Sequence, residues 1–275
     1  MTVIRSRARR GESSVFGALV AAVFAACAPT ADGGQSSAVA VDASTLAEAG
    51  TSEAGTREGG RPLAHDASAN LRACAESGFS LETVATLADR LNTRLPVDGP
   101  CFLASLPRPL PVVATSGTIS AQPSGGPDSP RLFVLLPRVV VSLVPSGRGS
   151  DTVEFGEWVT PTRTLKAEIK LPVTSPLAWN APFTRILLGS NTESACRACH
   201  RNEEPHATIP GAFVSDAFAP EPGTFVSLET LSTLHDACTS SGDASARCAM
   251  FHALFDFGAV EQGAFDRAVG TFLFQ

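Results

Sequence analysis

The 275 residues predict a mixed, mainly β fold: an antiparallel β-sandwich-like domain followed by a small α-helical segment. Three observations carry this. Between about 102 and 188, short β-branched and apolar runs recur, separated by Pro and Gly, as in strands joined by turns. From 227 onward, apolar residues fall instead at helical spacing. The composition is globular and turn-rich, with 44% apolar and 17% charged residues, 20 Pro, 23 Gly and no Tyr.

Residues 1–27 have the layout of a lipoprotein signal peptide. Arg5, Arg7, Arg9 and Arg10 precede a 12-residue apolar run, Val15 to Ala26, too short to span a bilayer. Phe24-Ala25-Ala26-Cys27 resembles a lipobox, with Phe where Leu is usual. That resemblance implies export, cleavage before Cys27 and a diacyl lipid on its sulfur, in the periplasm or on the outer membrane. Ordinary cleavage around Ala26-Cys27-Ala28 is the other route, with Pro29 against it. Residues 28–66 are rich in Ala, Ser, Gly and Thr and read as a disordered tether spanning on the order of 35 Å. His65 falls in it.

The β-rich domain with one helix is expected over 67–190. Ser80 can cap a helix running through Leu81, Val84, Leu87 and Leu91 to Arg94. Cys74 before it and Cys101 after it are placed for a disulfide. Strands are expected at Phe102–Leu106, Val112–Thr115, Leu132–Val144, Thr152–Trp158, Leu165–Val173 and Phe183–Leu188. Leu165 to Leu171 alternates with period two, so one face should be solvated, and the run at 132–144 should be buried. Asp151, Glu154, Glu157 and Glu168 read as solvated surface. The chain has no Gly-rich phosphate loop, nucleophile elbow or internal repeat.

Within 191–275, Ser227 can cap a helix bearing Leu228, Leu231, Leu234 and Cys238. A second helix is expected from Ala246 to Phe257, ended by Gly258, and a third over Ala264–Leu273. A Cys238–Cys248 disulfide would clasp the first two as a hairpin.

The most specific signal is Cys196-Arg197-Ala198-Cys199-His200. Two thiols three positions apart can reach both vinyl groups on one porphyrin edge, and the next residue then lies under the iron. The segment resembles the c-type cytochromes through these five residues. That resemblance implies a monohaem, cytochrome c-like haem segment over 191–275, with one covalent haem c on Cys196 and Cys199. His200 is the implied proximal ligand, its ring oriented by a carbonyl near Pro210. Met250 is the leading sixth ligand, by likeness to His/Met cytochromes, or else a core methionine. His206, His235, His252 or an open site are the other options; His235 also fits a buried, hydrogen-bonded histidine. Such cytochromes place a helix directly before the motif, where this chain suggests a strand.

The resemblance implies electron transfer, or redox or ligand sensing, in the cell envelope rather than an enzyme. The leader carries a net charge of +3 within an overall −6, so its removal leaves −9. That argues against nucleic acid and for a basic redox partner beside the lipid-anchored membrane contact. The non-haem alternative is an envelope lipoprotein whose Cys196 and Cys199 form a disulfide, or a zinc site with His200 or His206. A dithiol oxidoreductase fits least, because the βαβ context of its C-x-x-C is missing.

Overall fold

The computed structural model describes residues 63–189 and 191–272. Cys27, the leader and residues 28–62 of the expected tether lie outside them. The sheet begins as an antiparallel meander of β1 (Leu110–Thr115), β2 (Arg131–Leu135), β3 (Val139–Leu143), β4 (Thr152–Thr160) and β5 (Arg163–Lys170). The apolar run expected as one strand at 132–144 is a hairpin. Pro137 interrupts it, and Leu136 N–H donates to the Val139 carbonyl across the turn at 3.0 Å.

The last third of the chain joins this sheet instead of forming its own helical unit. β6 (Glu204–Pro205) and β7 (Phe213–Asp216) extend it beyond β5. At the opposite edge, β8 (Phe225–Val226) and β9 (Val260–Gln262) both pair with β1. Among the described residues, nine strands thus share one sheet, antiparallel except for β9. The expected boundary at 190/191 and the expected second sheet are both corrected: the fold is mixed and mainly β, with helices where a sandwich would have strands.

Alternation along the strands assigns each side chain to a face. Val112, Leu132, Val141, Val153, Leu165 and Ile169 point into the core. That face is covered by helices: α1 (Leu63–Glu76), α2 (Leu87–Asn92), α3 (Gly99–Ser105), α4 (Ala181–Thr184), α5 (Leu228–Ser241) and α6 (Ala246–Phe255). Among the described residues no helix is long and apolar enough to cross a membrane.

Helix-start chemistry overrode β propensity in two places. Asp98 accepts the Cys101 N–H and Pro100 sits in the first turn, so Phe102–Ser105 is helical rather than extended. Pro182 likewise lies in the first turn of α4, and the strand expected at 183–188 is that helix and a following turn. Ser80 does not cap a helix; its hydroxyl donates to Glu82, and α2 starts only at Leu87 after a 3-10 turn at Val84–Thr86. α1 takes in the last residues expected as tether, His65 included. Ser227 does cap α5, accepting from Thr230 N–H, and Ser245 caps α6. The helix expected over 264–273 is absent among the described residues.

The helix layer is tied together covalently. Cys74–Cys101 joins α1 to α3, and Cys238–Cys248 joins α5 to α6, as the sequence suggested. Phe79, Phe102 and Phe155 form an edge-to-face chain with centroids 5.6 and 5.9 Å apart, coupling helices to sheet. Arg108 bonds the Leu254 and Ala253 carbonyls near the end of α6, at 2.5 and 2.6 Å.

Phe102 is fully buried at the centre of that chain. Phe102→Ala is expected to lower unfolding free energy by about 3–5 kcal/mol, measured by urea titration. Cys74→Ser with Cys101→Ser, opening a loop of 27 positions, should remove about 3–4 kcal/mol by the chain-entropy scale.

Candidate functional site

The sheet face opposite the helices is the floor of a cavity of about 1030 Å³. Arg131, Phe133, Ser142, Glu154, Lys166 and Glu168 rise from β2 to β5 on this face. The walls come from segments far apart in sequence: 115–121, the motif at 195–200, 217–224 and 265–272. Phe218, Phe265 and Phe272 add aromatic surface. The face expected to be solvated along β5 therefore lines an internal space, and Lys166 is only 7% exposed.

The motif itself is one tight turn. Ser194 caps a 3-10 turn at Ala195–Ala198 by accepting the Cys196 N–H. The Cys196 carbonyl then accepts from Cys199 N at 3.1 Å and His200 N at 2.8 Å. Glu203 holds the start of the turn, accepting from the Ser194 N–H at 2.9 Å and hydroxyl at 2.5 Å. Cys196, Cys199 and His200 all line the cavity, and neither cysteine is part of a disulfide. Among the described residues the two disulfides are the ones expected at Cys74–Cys101 and Cys238–Cys248.

His200 is held from two sides. Its ring lies 11° from parallel to Phe218, with centroids 5.1 Å apart. Its Nδ1 is 2.7 Å from the Asp216 carbonyl. A carbonyl only accepts, so the proton sits on Nδ1 and Nε2 keeps its lone pair. The orienting carbonyl belongs to Asp216 at the end of β7, not to Pro210 as expected. Burial pushes the His200 pKa down to about 3, reinforced by the nearby Lys166 cation. The imidazole is thus neutral across the physiological range.

Lys166 Nζ donates to Thr164 Oγ1 at 2.7 Å and to the same Asp216 carbonyl at 3.0 Å. Burial lowers its pKa to about 8. Burial also raises the Cys196 thiol to about 12, so this sulfur is a thiol and not a thiolate. Glu154 and Glu168, read from sequence as solvated surface, are ion-paired with Arg131 and Arg185 at 2.5 and 2.7 Å. Glu157 accepts the Val84 N–H at 2.8 Å, and Asp151 pairs with Lys170 at 2.8 Å. Arg131 also reaches Ser142 Oγ at 2.6 Å and lies over the Phe133 ring.

The other expected ligands lie elsewhere. Met250 is 2% exposed in the core, filling the notch beside Gly99, where an added Cβ would come within 3.0 Å of its methyl. It does not line the cavity, which corrects its assignment as sixth ligand. His206 accepts the Thr208 and Ile209 N–H groups within its own loop. His235 and His252 meet on α5 and α6. Among the described residues His200 is the only histidine lining the cavity, and no methionine does.

Lys166, Asp216 and Phe218 were missed in the sequence. Lys166 carried a faint signal, since Thr164, Lys166 and Glu168 alternate on one face of β5. The chain matches no family model, no curated protein and no solved structure.

The sign of the His200 shift sets a test. With the folded pKa below the usual value, its contribution to stability is complete above about pH 6.5 and is lost as pH falls towards 3. For protein made without any prosthetic group, urea unfolding at a series of pH values should fall more steeply for wild type than for His200→Gln. The difference should approach about 1.4 kcal/mol per pH unit in that window.

Proposed function

We propose that this chain is a lipid-anchored, monohaem c-type protein of the cell envelope whose iron is used for redox or ligand sensing. The observation that supports it is the motif turn at the cavity wall, with His200 Nδ1–H given to the Asp216 carbonyl and Nε2 left as a donor. Cys196 and Cys199 would form the thioethers, and His200 would be the axial ligand. The residues present fit such a group. A volume of about 1030 Å³ is at the upper end for cofactor sites, and five aromatic side chains (Phe133, Trp158, Phe218, Phe265, Phe272) line it. Arg148 on the lining is a side chain suited to pair with a carboxylate, Arg131 being already paired with Glu154. Thr271 Oγ1, also on the lining, is shielded from solvent and has no hydrogen-bond partner among the described residues. When bound, haem would supply an iron able to cycle between Fe(II) and Fe(III) and to bind a small molecule.

The chain's own residues make the sensing reading stronger than a His/Met electron carrier. No second histidine or methionine lines the cavity among the described residues, so a haem held by His200 would not gain a His or Met partner from them. The acidic mature surface favours a basic redox partner. The non-haem readings fit less well. A zinc site needs ligand atoms that converge, and among the described residues Cys196, Cys199 and His200 form no such cluster. A dithiol oxidoreductase needs a lowered thiol pKa, the reverse of that at Cys196.

Coexpression with haem-c maturation machinery should give red protein that keeps its haem on denaturation and gains the mass of one haem. Met250→Leu should leave the visible spectrum unchanged, and carbon monoxide should shift the reduced spectrum. Colourless protein with a Cys196–Cys199 disulfide would overturn the haem reading. A reduced protein indifferent to carbon monoxide would overturn the open site.

A further inference from the structure

We infer that the α5–α6 hairpin binds a divalent transition-metal ion of the zinc class on His235, His252 and Asp256, independently of the cavity and its prosthetic group. The disulfide builds the site. Cys238 lies three residues after His235 on α5, and Cys248 four residues before His252 on α6. Closing that bond brings the two histidine rings edge to face, with centroids 5.2 Å apart. Asp256 follows His252 by one helical turn and caps α6, so its carboxylate projects to the same point.

The three donor atoms already converge. His235 Nε2 is 2.7 Å from Asp256 Oδ1, and His252 Nδ1 is 3.0 Å from Oδ2. All three lie within 4.8 Å of one another. Ligand atoms around a tetrahedral zinc at about 2.0–2.1 Å stand about 3.3 Å apart, so the two histidine–aspartate separations have to widen by about 0.3–0.6 Å, within a cluster whose atoms already lie inside 4.8 Å. The surroundings hold His235 in the ligating orientation. Its Nδ1 faces Asp236 Oδ1 at 3.4 Å, and Phe255 packs against its ring. Once Nε2 exchanges its Asp256 partner for the metal, Asp236 gives the Nδ1 proton an acceptor on the other side of the ring.

Exposure suits binding from solution. The two histidine side chains are 18% and 28% exposed and Asp256 is 40% exposed, which leaves an entry path and room for water as a fourth ligand. Two imidazoles and one carboxylate suit zinc or copper(II) rather than calcium or magnesium.

Equilibrium dialysis of the full chain, with its native cofactor complement, against zinc alone tests the inference by metal content per chain. One tightly held zinc is expected. His235→Gln and His252→Gln should each weaken it by at least about a hundredfold, the upper end of what losing a mere outer partner costs. Cys196→Ser with Cys199→Ser should retain it. Zinc lost from that double variant but kept by both histidine variants would place the ion on the motif and overturn the inference, as would wild type holding none. Should either glutamine variant fail to fold, zinc must still protect His235 and His252 of wild type from diethyl pyrocarbonate, read by peptide mass. Unprotected histidines would overturn the site equally.

Discussion

The antiparallel pairing of β5 with β7 is the constraint from which both the core and the site follow. Its register sets Thr164 opposite Ser215 and Lys166 opposite Phe213. Leu165 and Ala167 are thereby committed to the apolar face, and Thr164, Lys166 and Glu168 to the other. The same register ends β7 at Asp216, whose carbonyl is then beside the motif turn. A slip of one residue would bury Glu168 and Lys166 among the helices and turn Leu165 into the cavity. The hydrophobic demand of the core therefore also places the groups that orient His200.

A sheet with one apolar face must cover it, and here the helix layer does so. Two disulfides and the Phe79–Phe102–Phe155 chain hold that layer as one body. The opposite face has no such layer, and its charges are satisfied by one another and by flanking segments instead. Arg131 answers Glu154 and Ser142, and Arg185 answers Glu168. Ser142 in turn donates to Gln122, whose amide ties the Gly149 and Thr152 carbonyls. Polar groups paired in this way keep a large internal surface from collapsing or attracting a second sheet.

What the sequence disclosed follows the range of the interactions involved. The alternation of β5, the cap at Ser227, the helix from Ala246 and both disulfides depend on neighbours or on simple cysteine pairing, and each was legible. The misread segments had local signals that were outweighed by apolar content. Asp98 and Pro100 announced a helix start ahead of Phe102, and Pro182 did the same ahead of Phe183. The motif turn was legible as Cys196, Cys199 and His200. The cavity was not, because its walls are joined only by the return of 213–226 and 260–272 to opposite edges of one sheet. Met250 was misassigned for the same reason: distance along the chain suggested an opposing ligand, while α6 packs on α3, away from that face.

Lys166 explains why the orienting group is a peptide carbonyl and not a carboxylate. Among the described residues no carboxylate is within ion-pairing distance of its Nζ, and a buried cation in that state costs free energy. It is tolerated because Thr164 and the Asp216 carbonyl accept from it. That carbonyl has two lone pairs and serves Lys166 and His200 together. The cation draws electron density from the shared oxygen, so its pull on the His200 Nδ1 proton is weaker than a carboxylate's would be. The imidazole consequently stays a neutral and moderate donor at Nε2. Weak donation from one side leaves a bound metal centre more dependent on whatever occupies the other. The small-ligand sensor proposed above would be served by that arrangement, whereas a carrier with a fixed second ligand would gain nothing from it.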